Sequence, residues 1–234
     1  MLYSMPKKIQ LAPSTAKWAA ASTQSVLAVA GLSELLANRE LSDSELMQNL
    51  NSIMAKAKAL DIPIVDLSGA GAMNGMQRLG ELMSTYQQLM IAGQITPLLK
   101  QILPHLMTVT AQICIIDDAI LLPNQELHIQ WVDSLTAQGI HHMNSYSISR
   151  LWSLSAPTEY VLSVKGILLA VAEQLQMEAL EIDLSVDLRQ YGLDSVAMVS
   201  LIGLWRANGA NITYEDFFEH PALQDLLQIL LVKN

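Results

Sequence analysis

With 234 residues, 51% of them apolar and 15% charged, the chain has enough material for one or two packed cores and does not have the composition of a disordered polymer. Its 22 acidic residues against 13 basic ones leave a formal charge of −9, which excludes the basic surface that phosphate-backbone binding needs, so nucleic acid is not an expected partner. No run reaches the roughly 18 apolar residues of a membrane span, no signal-peptide core follows Lys7–Lys8, and Cys114 is the only cysteine; a cytoplasmic protein with a buried, inert thiol is expected.

Residues 26–30, 62–67 and 113–117 are short apolar runs suited to buried parallel strands, and 140–146 is a weaker candidate. Helical patterns lie between them. One covers 43–59, opened by a Ser42-x-x-Glu45 capping box and carrying Leu46, Leu50, Ile53, Met54 and Ala57 on one face. The glycine-bearing segment 69–111 reads as a Met-rich helical region around 76–107 broken by Pro97 and Pro104. A third helix runs from Asn124 as N-cap to Gly139 as stop. Strands alternating with helices imply an α/β domain with a parallel sheet over 1–152.

Residues 153–157 are small and polar and read as a linker, beyond which 158–234 holds helices only. Thr158 is expected to cap a helix with the stripe Val161, Val164, Leu168, Val171 and Leu175. A long loop, 176–194, leads to a helix from Ser195 to about Asn208 that ends at Gly209 and gives Leu201 and Trp205 to the core. A short turn at 214–219 and a helix from Pro221 to about Leu231 complete a four-helix bundle. Residues 157–234 carry eleven acids against Lys165, Arg189, Arg206 and Lys233, a net −7, while the first 156 carry −2. So acidic a unit favours partners with basic docking surfaces.

Gly192-Leu193-Asp194-Ser195 joins the long loop to the second helix of the bundle. Asp and Ser are ordinary N-cap residues, and four residues alone say no more than that. The flanks say more, because Glu181-Ile-Asp-Leu-Ser-Val-Asp-Leu-Arg-Gln-Tyr191 leads into the motif and Phe218-Glu-His-Pro-Ala-Leu223 precedes the last helix. Over about 75 residues this pattern resembles the acyl, aryl and peptidyl carrier proteins. The resemblance implies that Ser195 carries 4′-phosphopantetheine, attached by a separate phosphopantetheinyl transferase. Asp194 either orients that encounter or only caps the helix. Val196, Met198 and Val199, with Tyr214 and Phe218 on the short third helix, are expected to supply a docking face, some of them exposed and the rest in the core. The domain itself holds no expected catalytic residue or metal.

The stretch Leu204-Trp-Arg-Ala-Asn-Gly209, with Phe218-Glu-His-x-x-Leu223 downstream, looks most like the aryl carrier domains of siderophore synthesis, which often follow an isochorismatase domain. Met5-Pro-Lys-Lys-Ile9, the segment Ala16 to Ala30, and Ala59-Leu-Asp-Ile-Pro-Ile-Val65 are similar to the opening and first strands of that isochorismatase family. The resemblance implies a bifunctional isochorismatase/aryl carrier with a shortened α/β domain able to self-associate into a homo-oligomer. An aryl-acid adenylation enzyme and the condensation domain of a nonribosomal peptide synthetase are the partners it implies, with 2,3-dihydroxybenzoate or salicylate as cargo. Two other readings are a bifunctional enzyme whose first domain still hydrolyses isochorismate and a general acyl carrier of fatty acid or polyketide synthesis. The family's "His-Asp-Met-Gln" strand end aligns with Ala30-Gly31-Leu32-Ser33, so Gly31 replaces the expected catalytic aspartate. Its active-site lysine block has no counterpart, since Lys100 stands alone in an apolar helix. Loss of that acid and its lysine predicts a degenerate, non-catalytic domain.

Other motifs carry less. Gly69 to Gly75 is one residue too long for a dinucleotide loop, Asp117-Asp118 read as solvated acids at a strand end, and His141-His142 read as surface or packing residues. Ser33 and Ser68 have no nucleophile-elbow glycines.

Overall fold

A computed structural model of the chain describes residues 18–232, apart from Ala111 and the side chains of Ala70 and Val232. The opening motif at Met5–Ile9 therefore lies outside the described residues. Two compact units divide the chain between Ser155 and Ala156.

In the first unit the elements are β1 (Ser25–Ala30), α1 (Leu32–Ala37), α2 (Glu45–Ala59), β2 (Ile64–Leu67), α3 (Ala72–Leu82), β3 (Gln88–Gln94), α4 (Pro97–Val109), β4 (Gln112–Leu121), α5 (Gln125–Ala137), β5 (His141–Met143) and α6 (Ser145–Leu154). The five strands are parallel, in the order β2-β1-β3-β4-β5. Both faces are covered, so β1 is buried at every position. Leu27 and Val29 meet Leu46, Leu50 and Ile53 of α2 and Ile148 and Trp152 of α6. Val26, Ala28 and Ala30 point the other way, toward Leu79 of α3, Leu99 and Leu103 of α4 and Val132 of α5. Alternating sides along one strand thus build two cores.

At the N-terminal ends of β1, β3 and β4 a part-buried polar network joins the strands. Gln88 Oε1 accepts from the Ala21 amide at 2.7 Å, and Gln88 Nε2 donates to Ala19 O and to Gln112 Oε1 at 2.9 and 3.0 Å. Trp152 Nε1 donates to Ser25 Oγ at 2.9 Å and so ties α6 to β1.

The central strand β3 falls within the region expected to be helical. Its apolar run, Leu89-Met-Ile-Ala92, has one β-branched residue among helix formers, so local preference pointed the wrong way and burial between β1 and β4 decides. Pro97 starts α4 at its first turn, where no amide partner is lost, rather than breaking a helix; Thr96 caps it through Leu99 N at 3.1 Å. The α2 cap is Ser44, which accepts from Met47 N, while Ser42 ends the preceding turn, so the expected Ser42–Glu45 box does not form. The weak strand shrinks to His141–Met143 because Asn144 caps α6 through Ser147 N at 2.8 Å.

The second unit comprises α7 (Thr158–Val161), α8 (Val164–Leu175), α9 (Ser195–Ala207), α10 (Tyr214–Glu219) and α11 (Leu223–Val232). The helix expected from Thr158 is two: Ser163 caps α8 through Gly166 N at 3.0 Å. A Cβ on Gly166 would fall 1.9 Å from Tyr160 O, so only glycine lets the two pieces approach. The break rotates the stripe, leaving Val164 exposed and Ile167 and Val171 buried. Leu201, Trp205 and Phe217 sit in the core, the two rings stacked at 6.1 Å.

Gly93 shows the tightest constraint in the sheet. Its φ is +96°, and a Cβ there would lie 2.1 Å from Ala30 O, at the point where the β3–β4 register shifts. Gly93→Ala is expected to destabilise the α/β unit by more than about 2 kcal/mol, read as a lower urea midpoint.

Candidate functional site

The motif Gly192–Ser195 opens α9, and the loop before it is pinned rather than loose. Leu188 N donates to Pro221 O at 3.0 Å, Asp187 bridges Ala222, and Gln224 N donates to Leu184 O at 2.9 Å, which ties the loop to the start of α11. Leu188 and Leu193 are buried anchors. Gly192 takes φ +95°, a left-handed conformation that turns the chain into the helix without a side chain in the way.

The N-cap of α9 is Asp194, whose Oδ1 accepts from Ala197 N at 2.8 Å. Ser195 is therefore the first helical residue, exposed, and no described residue hydrogen-bonds its hydroxyl. A phosphodiester on Ser195 Oγ would lie beside the unpaired N–H groups and positive dipole end of a 13-residue helix, where an anion is favoured. The site fits a phosphorylated arm.

Of the residues expected on the docking face, Val196 is 75% exposed and Phe218 58%, and Val199 and Tyr214 are also exposed. Met198 is not available, because it faces inward from α9 and is buried with Leu201 and Ile202. Its i, i+3 and i+4 spacing from those core residues explains why. Asp194 at the start of α9 and Glu215 and Glu219 at the two ends of α10 are exposed acids. The arrangement of Arg189 was not read from the sequence: its guanidinium forks onto Asp187 and lies over the Phe218 ring at 5.2 Å.

In the α/β unit the order β2-β1-β3-β4-β5 reverses between β1 and β3, where doubly wound sheets place their ligand crevice. Gly31 stands there with φ +62°, and a Cβ on it would meet Gln94 Cβ at 2.9 Å and Thr96 Cγ2 at 3.5 Å. Uncharged groups of Gln94 and Thr96 thus fill the place of the expected aspartate. Lys100 lies on the exposed side of α4. Ser68 Oγ accepts from Ser33 N at 3.2 Å and donates to Asp66, so both serines serve local bonding. Gly75 packs α3 onto β2, where a Cβ would fall 2.2 Å from Asp66 O.

Asp117 and Asp118 depart from expectation. β4 continues through them to Leu121 in a bulge, with Ile91 and Gly93 of β3 pairing Ile115 and Ile120, so they are part-buried strand residues. Asp117 Oδ2 pairs with His142 Nδ1 at 3.1 Å. Asp118 receives Ser145 N at 2.7 Å and Ser145 Oγ at 2.8 Å, at the start of α6. His141 is buried, with its ring 5.2 Å from that of Trp18. Among the described residues no group of three His, Cys, Asp or Glu side chains is placed to hold a metal.

Residues 165–230 match the family described as "Phosphopantetheine attachment site", so the C-terminal unit is a carrier domain and its prosthetic group is covalently attached 4′-phosphopantetheine. Such a domain is loaded by a phosphopantetheinyl transferase and receives acyl groups from activating enzymes. The chain is also 31% identical over 74 residues, 32% of its length, to the isochorismatase of Bacillus subtilis (strain 168), and it spans 24% of that protein. By fold it is similar to YcaC from Pseudomonas aeruginosa, at 16% identity and a TM-score of 0.47 over 70% of this chain and 98% of that one. The MAR1 ribonuclease from Caenorhabditis elegans is similar at 12% identity and a TM-score of 0.45, over 63% and 94%. An α/β domain followed by a phosphopantetheine carrier domain is the order that resemblance to bifunctional isochorismatase/carrier proteins implies. No helix among the described residues is long and apolar enough to cross a membrane.

Two outcomes follow from these geometries. Asp194→Ala should cost the carrier unit about 1 kcal/mol in denaturant unfolding, and Asp194→Asn, which can still cap, much less. Burial pushes the Asp118 carboxyl up to about 6, against the pull of the Ser145 hydrogen bonds. A folded pKa above the unfolded one favours folding at low pH, and that contribution fades as pH rises through about 6. Between pH 4 and pH 7 wild type should lose about 2 kcal/mol from this group, and Asp118→Asn should remove that part of the pH dependence of the urea midpoint.

Proposed function

We propose that Ser195 is the attachment point and that the carrier domain presents an aryl acid, 2,3-dihydroxybenzoate or salicylate, as a thioester for nonribosomal siderophore synthesis. The observation that carries the attachment site is the division of labour at α9: Asp194 caps the helix and leaves the Ser195 hydroxyl exposed and unbonded among the described residues. In loading, Ser195 Oγ forms the new ester bond to the β-phosphate of coenzyme A, its proton passes to a base of the transferase, and adenosine 3′,5′-bisphosphate leaves. The arm, once bound, supplies a terminal thiol for thioester formation. This chain's residues hold the arm's phosphate at a helix start and offer Val196, Val199, Tyr214 and Phe218 to partners. The implied partners are an aryl-acid adenylation enzyme and a condensation domain, in a cytoplasmic setting, with the α/β unit as the self-associating part. The aryl cargo rests on the resemblance of the Leu204–Gly209 stretch.

The α/β unit is read as non-catalytic. Gly31, closed in by Gln94 and Thr96, supports that reading, because an acid–base group contributes roughly 10²–10⁴-fold and glycine supplies none at the position where the resemblance expects the aspartate.

Incubation with coenzyme A and a broad-specificity transferase should add one phosphopantetheinyl mass to the intact wild-type chain and none to Ser195→Ala. An adduct retained in Ser195→Ala would displace the site. Pyruvate release from isochorismate, followed by coupled lactate dehydrogenase, should stay at background; turnover near that of an active isochorismatase would make the protein bifunctional. Loading of the holo chain with aryl acids by adenylation enzymes, set against malonyl transfer, separates the aryl carrier from a carrier of fatty acid or polyketide synthesis.

A further inference from the structure

Asp187, Arg189 and Phe218 form a connected unit on the carrier surface. Arg189 Nε lies 2.9 Å from Asp187 Oδ1 and Nη2 2.6 Å from Oδ2, while the Arg189 amide also donates to Oδ1 at 2.9 Å. Backbone and side chain together hold the guanidinium in one orientation. Those hydrogen bonds keep the Asp187 carboxyl below its usual range. The guanidinium so fixed lies over the Phe218 ring, its central carbon 5.2 Å from the ring centre.

Folding does not account for this arrangement. An exposed ion pair contributes little to stability, and a ring left 58% exposed gives up most of its burial. The placement is informative instead. Arg189 stands six positions ahead of Ser195 in the pinned loop and reaches to α10, which packs on α9, so an enzyme that reaches Ser195 meets this unit.

We propose that Arg189 is a positioning residue: anchored by Asp187, it holds the Phe218 ring ready as a preformed apolar anchor for the phosphopantetheinyl transferase. The transferase is the occupant argued for because its coenzyme A substrate carries several phosphates and requires a cationic surround, which complements the exposed acids Asp194, at the start of α9, and Glu215 and Glu219, on the same short helix as Phe218. A ring already ordered loses less side-chain freedom on binding, which lowers KM and leaves the phosphate-transfer step unchanged. The inference rests on Ser195 being the attachment site.

The test is steady-state modification of the full-length apo chain by a broad-specificity transferase with saturating coenzyme A, at varied carrier concentration. Arg189→Ala should raise KM roughly three- to tenfold with kcat unchanged. Asp187→Asn should do the same, and Arg189→Lys should resemble Arg189→Ala, because an ammonium keeps the charge without the planar fork. In a Phe218→Ala background, Arg189→Ala should add nothing further. An unchanged KM, full rescue by lysine, or an equal effect of Arg189→Ala with and without Phe218 each overturns the proposal while leaving Ser195 modified. A wild-type chain that gains no adduct beside a control carrier that does is a different result, and it removes the attachment reading along with this one.

Discussion

The first turn of a helix leaves backbone N–H groups without partners, and which side chain satisfies them at α9 governs everything the carrier unit can do. Asp194 takes that duty, so Ser195 is spared it. Had the serine been the cap, its oxygen would be engaged with the helix it opens, and esterification would compete with the helix start. With the roles divided, the attachment proposed at Ser195 leaves the Asp194 cap its own hydrogen bond. The pinned loop, the left-handed Gly192 and the buried Leu188 and Leu193 all hold that division in place.

The α/β unit rests on a different constraint, the covering of both faces of a parallel sheet. β1 shows it most plainly, with alternate residues entering two cores. Packing this close requires glycine where backbones cross, at Gly93 against Ala30 and at Gly75 against Asp66. The same sheet order reverses between β1 and β3, and here uncharged groups of Gln94 and Thr96 stand beside Gly31.

How much of this was legible depended on whether the signal was local. The carrier motif, the α5 cap at Asn124 and the stop at Gly209 are short-range features, and each stands where spacing put it. β3 was not legible, because Leu89-Met-Ile-Ala92 has little β preference and becomes a strand only through neighbours far away in sequence. The β4 bulge was missed for a related reason: two acids interrupt the apolar run, and only His142 and Ser145, supplied by β5 and α6, make their burial tolerable. At the site, exposure of Val196 and burial of Met198 follow from which side of α9 faces the bundle, and a helix apolar nearly all round does not declare that in advance. The Arg189–Phe218 contact joins residues from two elements and has no sequence spacing to betray it.

Gly31 also bears on how readily the α/β unit could change course. An aspartate placed there would need a left-handed backbone that favours glycine, and its Cβ would collide with Gln94 at 2.9 Å. An acidic side chain at that strand end therefore requires a second replacement, at Gln94, to make room for it, and a single substitution at Gly31 is strained.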